Sequence, residues 1–191
     1  AAVCWLVECP RLFAFSAIKN NDKVGLLLFS DKIELYIPPR KGKRHVLRVI
    51  RELLAFTPKS KGTDISLCLD TLNRVIKRKG ILLLISDFMA ENYEKSFKLA
   101  TRKFDLVPVV VQDKAELSLP SLPAFISFEG LEDGEEGVVV GLKSSLKGQI
   151  NRAYKENAEK AQKLFTSAGV QYITINAAEN ITDPVVKFFK Q

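Results

Sequence analysis

Three places in this 191-residue sequence put oxygen-bearing side chains directly after an apolar run or at the start of a helix. They are Ser86-Asp87 after Ile85, Gln112-Asp113 after Val111, and the turn Gly62-Thr63-Asp64. Hydroxyl and carboxylate oxygens are hard donors suited to Mg²⁺, which keeps several of its waters and takes only one or two carboxylates. Thr63 and Asp87 are therefore candidate partial ligands, with Asp64 beside them. An alternative chemistry uses Asp64, Asp87 and Asp113 together, since carboxylates clustered at strand ends also organise the two-metal hydrolysis of a Mg²⁺-dependent nuclease or phosphatase. The same residues have a plain structural use: Thr63 suits the N-cap of the helix it opens, and Asp87 that of the next.

Other chemistries find less support. No G-x-x-x-x-G-K-[ST] or G-x-G-x-x-G run occurs, so nothing points to a nucleotide site. One histidine, His45, excludes multi-histidine metal centres and most Ser-His-Asp or Cys-His hydrolases, which place a histidine beside a nucleophile. It lies in the most basic stretch of the chain, where a solvated surface role is expected. Cys4, Cys9 and Cys68 are odd in number and lack C-x-x-C spacing, so neither a disulfide framework nor a zinc site is indicated and a reducing cytoplasm is the expected location. A net charge of +7 permits an acidic partner without naming one. Its densest source is Arg40-Lys-Gly-Lys-Arg-His45, continued by Arg48, which leads into a helix. Phosphate binding is conceivable there, but no aromatic residues interleave, so a solvated face is expected and no nucleic acid.

The elements that would position these residues follow from two alternating periods. With 47% hydrophobic and 27% charged residues, and only 10 Gly and 8 Pro, the chain falls in the globular class. No run approaches the roughly eighteen apolar residues of a membrane span. Val24-Gly-Leu-Leu-Leu-Phe29 and Ile81-Leu-Leu-Leu-Ile85 are continuous apolar runs, as in strands covered on both faces, and Leu106 to Val111 is a third. Ile33-Glu-Leu-Tyr-Ile37 alternates instead and is expected to pair antiparallel at a sheet edge, stopping at Pro38-Pro39. Helical spacing predicts helices over His45 to Phe56, with Val46, Val49, Ile50, Leu53 and Leu54 on one face, and from Thr63 past Ile76. It also predicts one through Tyr93, Phe97, Ala100 and Phe104, and a long one from near Ser145 closed by Gly169.

Strand-helix-strand repetition of this kind demands a doubly wound, mostly parallel α/β sheet with helices on both faces. Residues 113–143 break the rhythm with Pro120, Pro123 and the acidic turn Glu132-Asp-Gly-Glu-Glu136, read as a β-hairpin insertion. The strand Gln171-Tyr-Ile-Thr-Ile175 and a short helix near Pro184 to Phe189 complete one domain over residues 1–191. The chain opens on Ala1 without an initiator Met, and it is expected to be incomplete at its N-terminus.

The run Asn20-Asn-Asp-Lys-Val-Gly-Leu-Leu-Leu-Phe-Ser-Asp31, then Glu34-Leu-Tyr-Ile-Pro-Pro-Arg40, Gly62-Thr63-Asp64 and Leu84-Ile-Ser-Asp-Phe88 resembles the bacterial family called domain of unknown function 58. Its members look like von Willebrand factor A domains. The resemblance implies a Rossmann-like doubly wound sheet, a metal-ion-dependent adhesion site, and binding rather than catalysis. It further implies a protein partner, a MoxR-type AAA+ ATPase, with which such proteins act in assembling or activating other complexes. Thr63 matches the site's threonine and Asp87 its later aspartate. The remaining element, an Asp-x-Ser-x-Ser run at the end of the first strand, is absent from these 191 residues. Thr63 and Asp87, even with Asp64 nearby, leave most of an octahedral shell to water, so a degenerate site that holds Mg²⁺ weakly at best is expected.

Overall fold

Apolar runs become strands wherever both faces of the backbone can be covered. The computed structural model describes residues 20–60, 62–112, 126–129, 136–139, 144–176, 184 and 187–188. In it the first run is β1 (Val24–Phe29) and the alternating run is β2 (Ile33–Arg40), paired antiparallel with Leu26 opposite Ile37 and Phe29 opposite Ile33. The second strand does not stop at its prolines, as the sequence predicts, but runs on to Arg40. Pairing shifts register between Val24 and Leu26, so Pro38 and Pro39 fall within a bulge. Beyond β2 there is no further strand among the described residues, so the missing proline N–H groups interrupt no ladder. Gly25 is required at this bulge: a Cβ there would come to 3.0 Å from both the Ile37 carbonyl oxygen and the Pro39 ring.

Helix α1 (Lys43–Ala55) buries Val46, Val49, Ile50 and Leu53. Val46 and Ile50 pack against Val24 of β1. Leu54, expected on the buried face, is 53% exposed, because at about 100° per residue it falls on the flank of the helix rather than beneath it. His45 also departs from expectation. Its Nε2 sits 2.9 Å from the Val24 carbonyl oxygen, which can only accept, so the ring donates there and fastens α1 to β1.

The second half is built on parallel pairing. Helix α2 (Ile65–Val75) leads to β3 (Ile81–Ser86), and α3 (Glu94–Thr101) to β4 (Asp105–Gln112). Then come β5 (Ile126–Glu129) and β6 (Glu136–Val139), an antiparallel pair, followed by α4 (Ser144–Ser167) and β7 (Ile173–Asn176). Strand β4 lies between β3 and β7 and is parallel to both. Pro108 is tolerated in this central strand partly because β7 pairing begins only at Val109 opposite Ile173, one residue later. Gly169, at φ 66°, ends α4 as predicted. Its N–H reaches the Thr166 carbonyl and that of Val170 the Phe165 carbonyl, each at 3.0 Å, the paired bonds of a Schellman cap.

The expected single doubly wound sheet is thus seen in part, as a three-stranded parallel sheet with helices and two separate antiparallel pairs, β1–β2 and β5–β6. Among the described residues no backbone ladder joins β1 to β3. The expectations for residues 1–19, for Pro120 and Pro123 and for most of the acidic turn lie outside the described residues. No helix among those described is long and apolar enough to cross a membrane.

One core face unites the elements. Leu84, Leu106 and Val110 of the sheet meet Ile65, Cys68, Leu69 and Leu72 of α2, Phe97 and Ala100 of α3, and Ala161, Leu164 and Phe165 of α4. Leu27 and Phe29 of β1 pack against the same cluster. The opposite face carries Val109, Ile173 and Ile175, with Phe188 against them. Phe165, wholly buried, is the hub: its ring centroid lies 5.0 Å from Phe88, 5.3 Å from Phe97 and 5.3 Å from Tyr172. Truncating such a ring leaves a cavity that neighbours fill only partly. Phe165→Ala is therefore expected to lower unfolding free energy by about 3–5 kcal/mol in urea titrations. Leu54→Ala, on the exposed flank, should stay within about 0.5 kcal/mol of the parent.

Candidate functional site

The turn after β3 presents Asp87 outward by burying the residues on either side of it. Ser86 and Phe88 are buried at 8% and 2% exposure, while Asp87 between them faces solvent. Phe88 adopts φ 58°, a left-handed conformation that a bulky side chain takes only when its surroundings impose it. Two bonds and one ring contact do so here. The Phe88 N–H donates to Ser86 Oγ at 3.1 Å, the Met89 N–H donates to Asp87 Oδ1 at 3.1 Å, and the Phe88 ring stacks edge-on against Phe165. Asp87 thus closes its own turn and does not cap the next helix, whose N-cap is Tyr93 with no side-chain bond.

A second turn is assembled from two distant segments. The N-cap of α2 is Asp64, one residue beyond the predicted Thr63: its Oδ1 accepts the Leu67 N–H at 2.8 Å. Thr63 is left exposed beside it. The Asp64 N–H donates to the Ser30 carbonyl at 2.8 Å, joining the start of α2 to the end of β1. Ser30 is buried at 5% exposure, and its hydroxyl lies 2.9 Å from Glu34 Oε1, which also accepts the Lys59 N–H at 3.2 Å. Gly62 passes so close that a Cβ on it would lie 3.3 Å from the Asp31 Cβ. Asp31 therefore stands exposed next to Gly62-Thr63-Asp64. Ser66 of α2 then donates to the Asn92 carbonyl at 2.8 Å, tying this turn to the loop that carries Asp87.

Electrostatics follow the same geometry. The Ser60 hydroxyl beside Asp31 holds its carboxyl below the ordinary value of 3.8; desolvation opposes it, and Ser30 and Lys32 add to the lowering. Burial pushes the Cys68 thiol up to about 12, and the Asp64 charge adds to it, so a thiolate nucleophile is not populated there at neutral pH. Burial likewise raises the Tyr93 phenol to about 12, with Glu94 and Asp87 contributing.

The structure therefore brings Thr63 and Asp64 to Ser30-Asp31, and links them to Asp87 only through α2 and the 87–92 loop. Asp113 lies outside the described residues. Sequence reasoning misses Asp31, although it follows an apolar strand just as Asp87 does, because Ser30-Asp31-Lys32 is the short link between two runs expected to pair antiparallel. As a metal centre the set is short. Among the described residues, no three His, Cys, Asp or Glu side chains gather where they could share an ion, and Asp64 and Asp87 each have one oxygen engaged by backbone. A closed Mg²⁺ site does not fit these side chains.

Two outcomes test this geometry. Asp64→Ala should cost about 1 kcal/mol of stability through the lost cap, whereas Thr63→Ala should cost little. Asp31 should titrate below 3.8 by NMR and move toward that value in Ser60→Ala. Since its folded value is the lower one, its contribution to stability is complete above 3.8 and is lost as pH falls further.

Comparison with known proteins places the chain among relatives. An uncharacterized protein of Mycobacterium tuberculosis is 20% identical over 187 residues, 95% of this chain but 58% of its own length, so the chain spans less than two thirds of that relative. One of Mycobacterium avium is 23% identical over 161 residues, 81% of this chain and 92% of its own. Among solved structures, an aerotolerance-related membrane protein from Bacteroides fragilis shares 17% identity over 95% of this chain and 85% of that one, with a TM-score of 0.51 that marks a likeness of fold. The conserved hypothetical protein BatB from Bacteroides thetaiotaomicron has 18% identity, 96% and 88% coverage and a TM-score of 0.47. None of these descriptions names an enzymatic activity. The sequence profile described as "Protein of unknown function DUF58" matches residues 5–163, and the chain belongs to that family.

Proposed function

We propose that the chain is a protein-protein interaction module, a von Willebrand factor A-like unit that works with a MoxR-type AAA+ ATPase in assembling or activating a complex. The observation that carries this reading is a set of exposed carboxylates, Asp31 and Asp87 just after apolar strands and Asp64 at the start of α2, each on a turn fixed by backbone hydrogen bonds. Rigid turns present charge at little entropic cost on binding. One oxygen of Asp64 and one of Asp87 are committed to the backbone, and His45, the one imidazole, is committed to Val24. That arrangement suits recognition better than proton transfer. The contact surface is acidic, so its complement is a basic segment of the partner rather than a fully ligated bridging cation. The proposed setting is the cytoplasm, in keeping with Cys68 as a buried free thiol.

The test is co-purification with a MoxR-type ATPase from the same genome. Asp31→Asn and Asp87→Asn, which remove the charge but keep a side-chain oxygen to accept the turn's hydrogen bond, should each weaken capture severalfold while leaving the melting temperature near that of the parent. Undiminished capture by both variants, or no ATPase captured by the parent, would sink the proposal. Mg²⁺-stimulated phosphoester cleavage lost in Asp87→Ala would replace it with the hydrolase reading.

Mg²⁺ itself gives a second expectation. A ligand stabilises by RT ln(1 + [L]/Kd), so with Kd near 1 mM, about 1 mM Mg²⁺ adds roughly 0.4 kcal/mol. Thermal melts of this chain should show no resolvable shift with millimolar Mg²⁺. A strong shift abolished by Asp87→Ala would show that further ligands complete the site.

A further inference from the structure

The basic stretch that opens α1 is absorbed neither by the core nor by the acidic turns. We propose that the outer face of α1 docks on an anionic lipid surface. The helix buries Val46, Val49, Ile50 and Leu53 on one side. At about 100° per residue the opposite ridge is Arg44, Arg48 and Arg51, all exposed. Lys43, Leu47 and Leu54 share one flank of that ridge, and the two leucines are 45% and 53% exposed. Arg40 and Lys41 extend the positive field before the helix begins. The helix contains a single acid, Glu52, which lies 2.9 Å from Arg51. No other ion pair engages these cations among the described residues.

Charge complementarity calls for a surface dense in anions. Nucleic acid offers one, but a phosphate backbone gives exposed leucines nothing to bury against, and α1 has no Phe, Tyr or Trp to stack on a base, its one imidazole, His45, being held against Val24. An acidic peptide would have to wrap a convex helical ridge. A bilayer of anionic lipids satisfies both features at once: headgroups meet the arginines, and Leu47 and Leu54 enter the boundary with the acyl chains while arginine stems lie along it. Clustered basic residues on an amphipathic helix are the recognised signature of such docking, and its strength grows with the apolar area buried plus the attraction to anionic lipid, both of which this face supplies. The inference is independent of the acidic turns and does not rest on their proposed partner.

Flotation of the full chain with phosphatidylcholine vesicles, with and without phosphatidylglycerol, decides it. Binding should appear only with the anionic lipid, and should fall at least tenfold between about 0.1 M and about 1 M salt, as the Debye length shrinks from about 10 to about 3 Å. Arg44→Glu with Arg48→Glu should reduce partitioning tenfold or more. Leu47→Ser with Leu54→Ser should reduce it severalfold, both with an unchanged circular dichroism spectrum. Equal binding to neutral vesicles, no binding to anionic ones, or indifference to either substitution pair would overturn the proposal. So would tighter binding to duplex DNA or polyglutamate than to anionic vesicles. The salt and lipid comparisons on the parent chain stand even if a variant fails to fold.

Discussion

Burial of the Phe165 ring is the constraint on which the other parts depend. The last turns of α4 can approach the sheet only by placing this side chain among Phe88, Phe97 and Tyr172, and each of those belongs to a different segment. Aromatic pairs at 4.5–7 Å contribute roughly 0.5–1.5 kcal/mol beyond the area they bury, so the hub is worth several such contributions at once. Because Phe88 is one of them, the core reaches directly into the turn that carries Asp87. A left-handed backbone at a phenylalanine is costly by about 1–3 kcal/mol, and the packing of its ring is what offsets that cost. The exposed carboxylate and the buried ring are two ends of one constraint.

Joining the antiparallel pair to the parallel sheet is a separate physical problem. Without a described ladder between β1 and β3, two kinds of contact do the work. Leu27 and Phe29 insert into the common core, and the Ser30 carbonyl accepts the Asp64 N–H. The hydrogen bond adds a modest net stabilisation, about 0.5–1.5 kcal/mol, but it is directional and fixes the angle at which the end of β1 meets α2. The apolar contacts supply most of the free energy and little of the specificity. Glu34, accepting from both Ser30 and Lys59, serves the same positional purpose on the other side of the turn.

Most of what depends on local period is legible in the sequence, although the same spacing puts Leu54 on a buried face that it misses by about a quarter turn. Tyr93, Phe97, Ala100 and Phe104 share one predicted face and are all buried; Gly169 reads as a terminator and forms a Schellman cap. The other errors share a different cause. Pro38 and Pro39 read as a stop because propensity knows nothing of a register shift opposite Gly25. His45 reads as solvated because its partner, the Val24 carbonyl, is 21 residues away in the chain. Asp31 escapes notice for a related reason: its neighbourhood with Gly62 and Ser60 exists only after β1 and α2 have been brought together. The cap assignment misses by one residue, since threonine and aspartate in sequence are both competent N-caps and only backbone geometry chooses between them.

The cap carries a wider point about what acidic residues do at strand ends. One oxygen of Asp64 holds the Leu67 N–H and one of Asp87 holds the Met89 N–H, so each carboxylate first builds the turn that displays it. A carboxylate has acceptor capacity left over after such a bond. Structural and binding roles are therefore not alternatives at these positions; the backbone bond fixes the direction in which the remaining oxygen can act. For a catalytic base that fixed, half-committed geometry would be a handicap, because the protonated form would lose part of the turn with it. For an electrostatic contact it is an advantage, since the charge is already oriented before a partner arrives. The exposed carboxylates Asp31 and Asp87 follow β1 and β3, while the cations of α1 stand on the outer side of the helix that packs on β1, so the two kinds of charge are displayed by different elements of the fold.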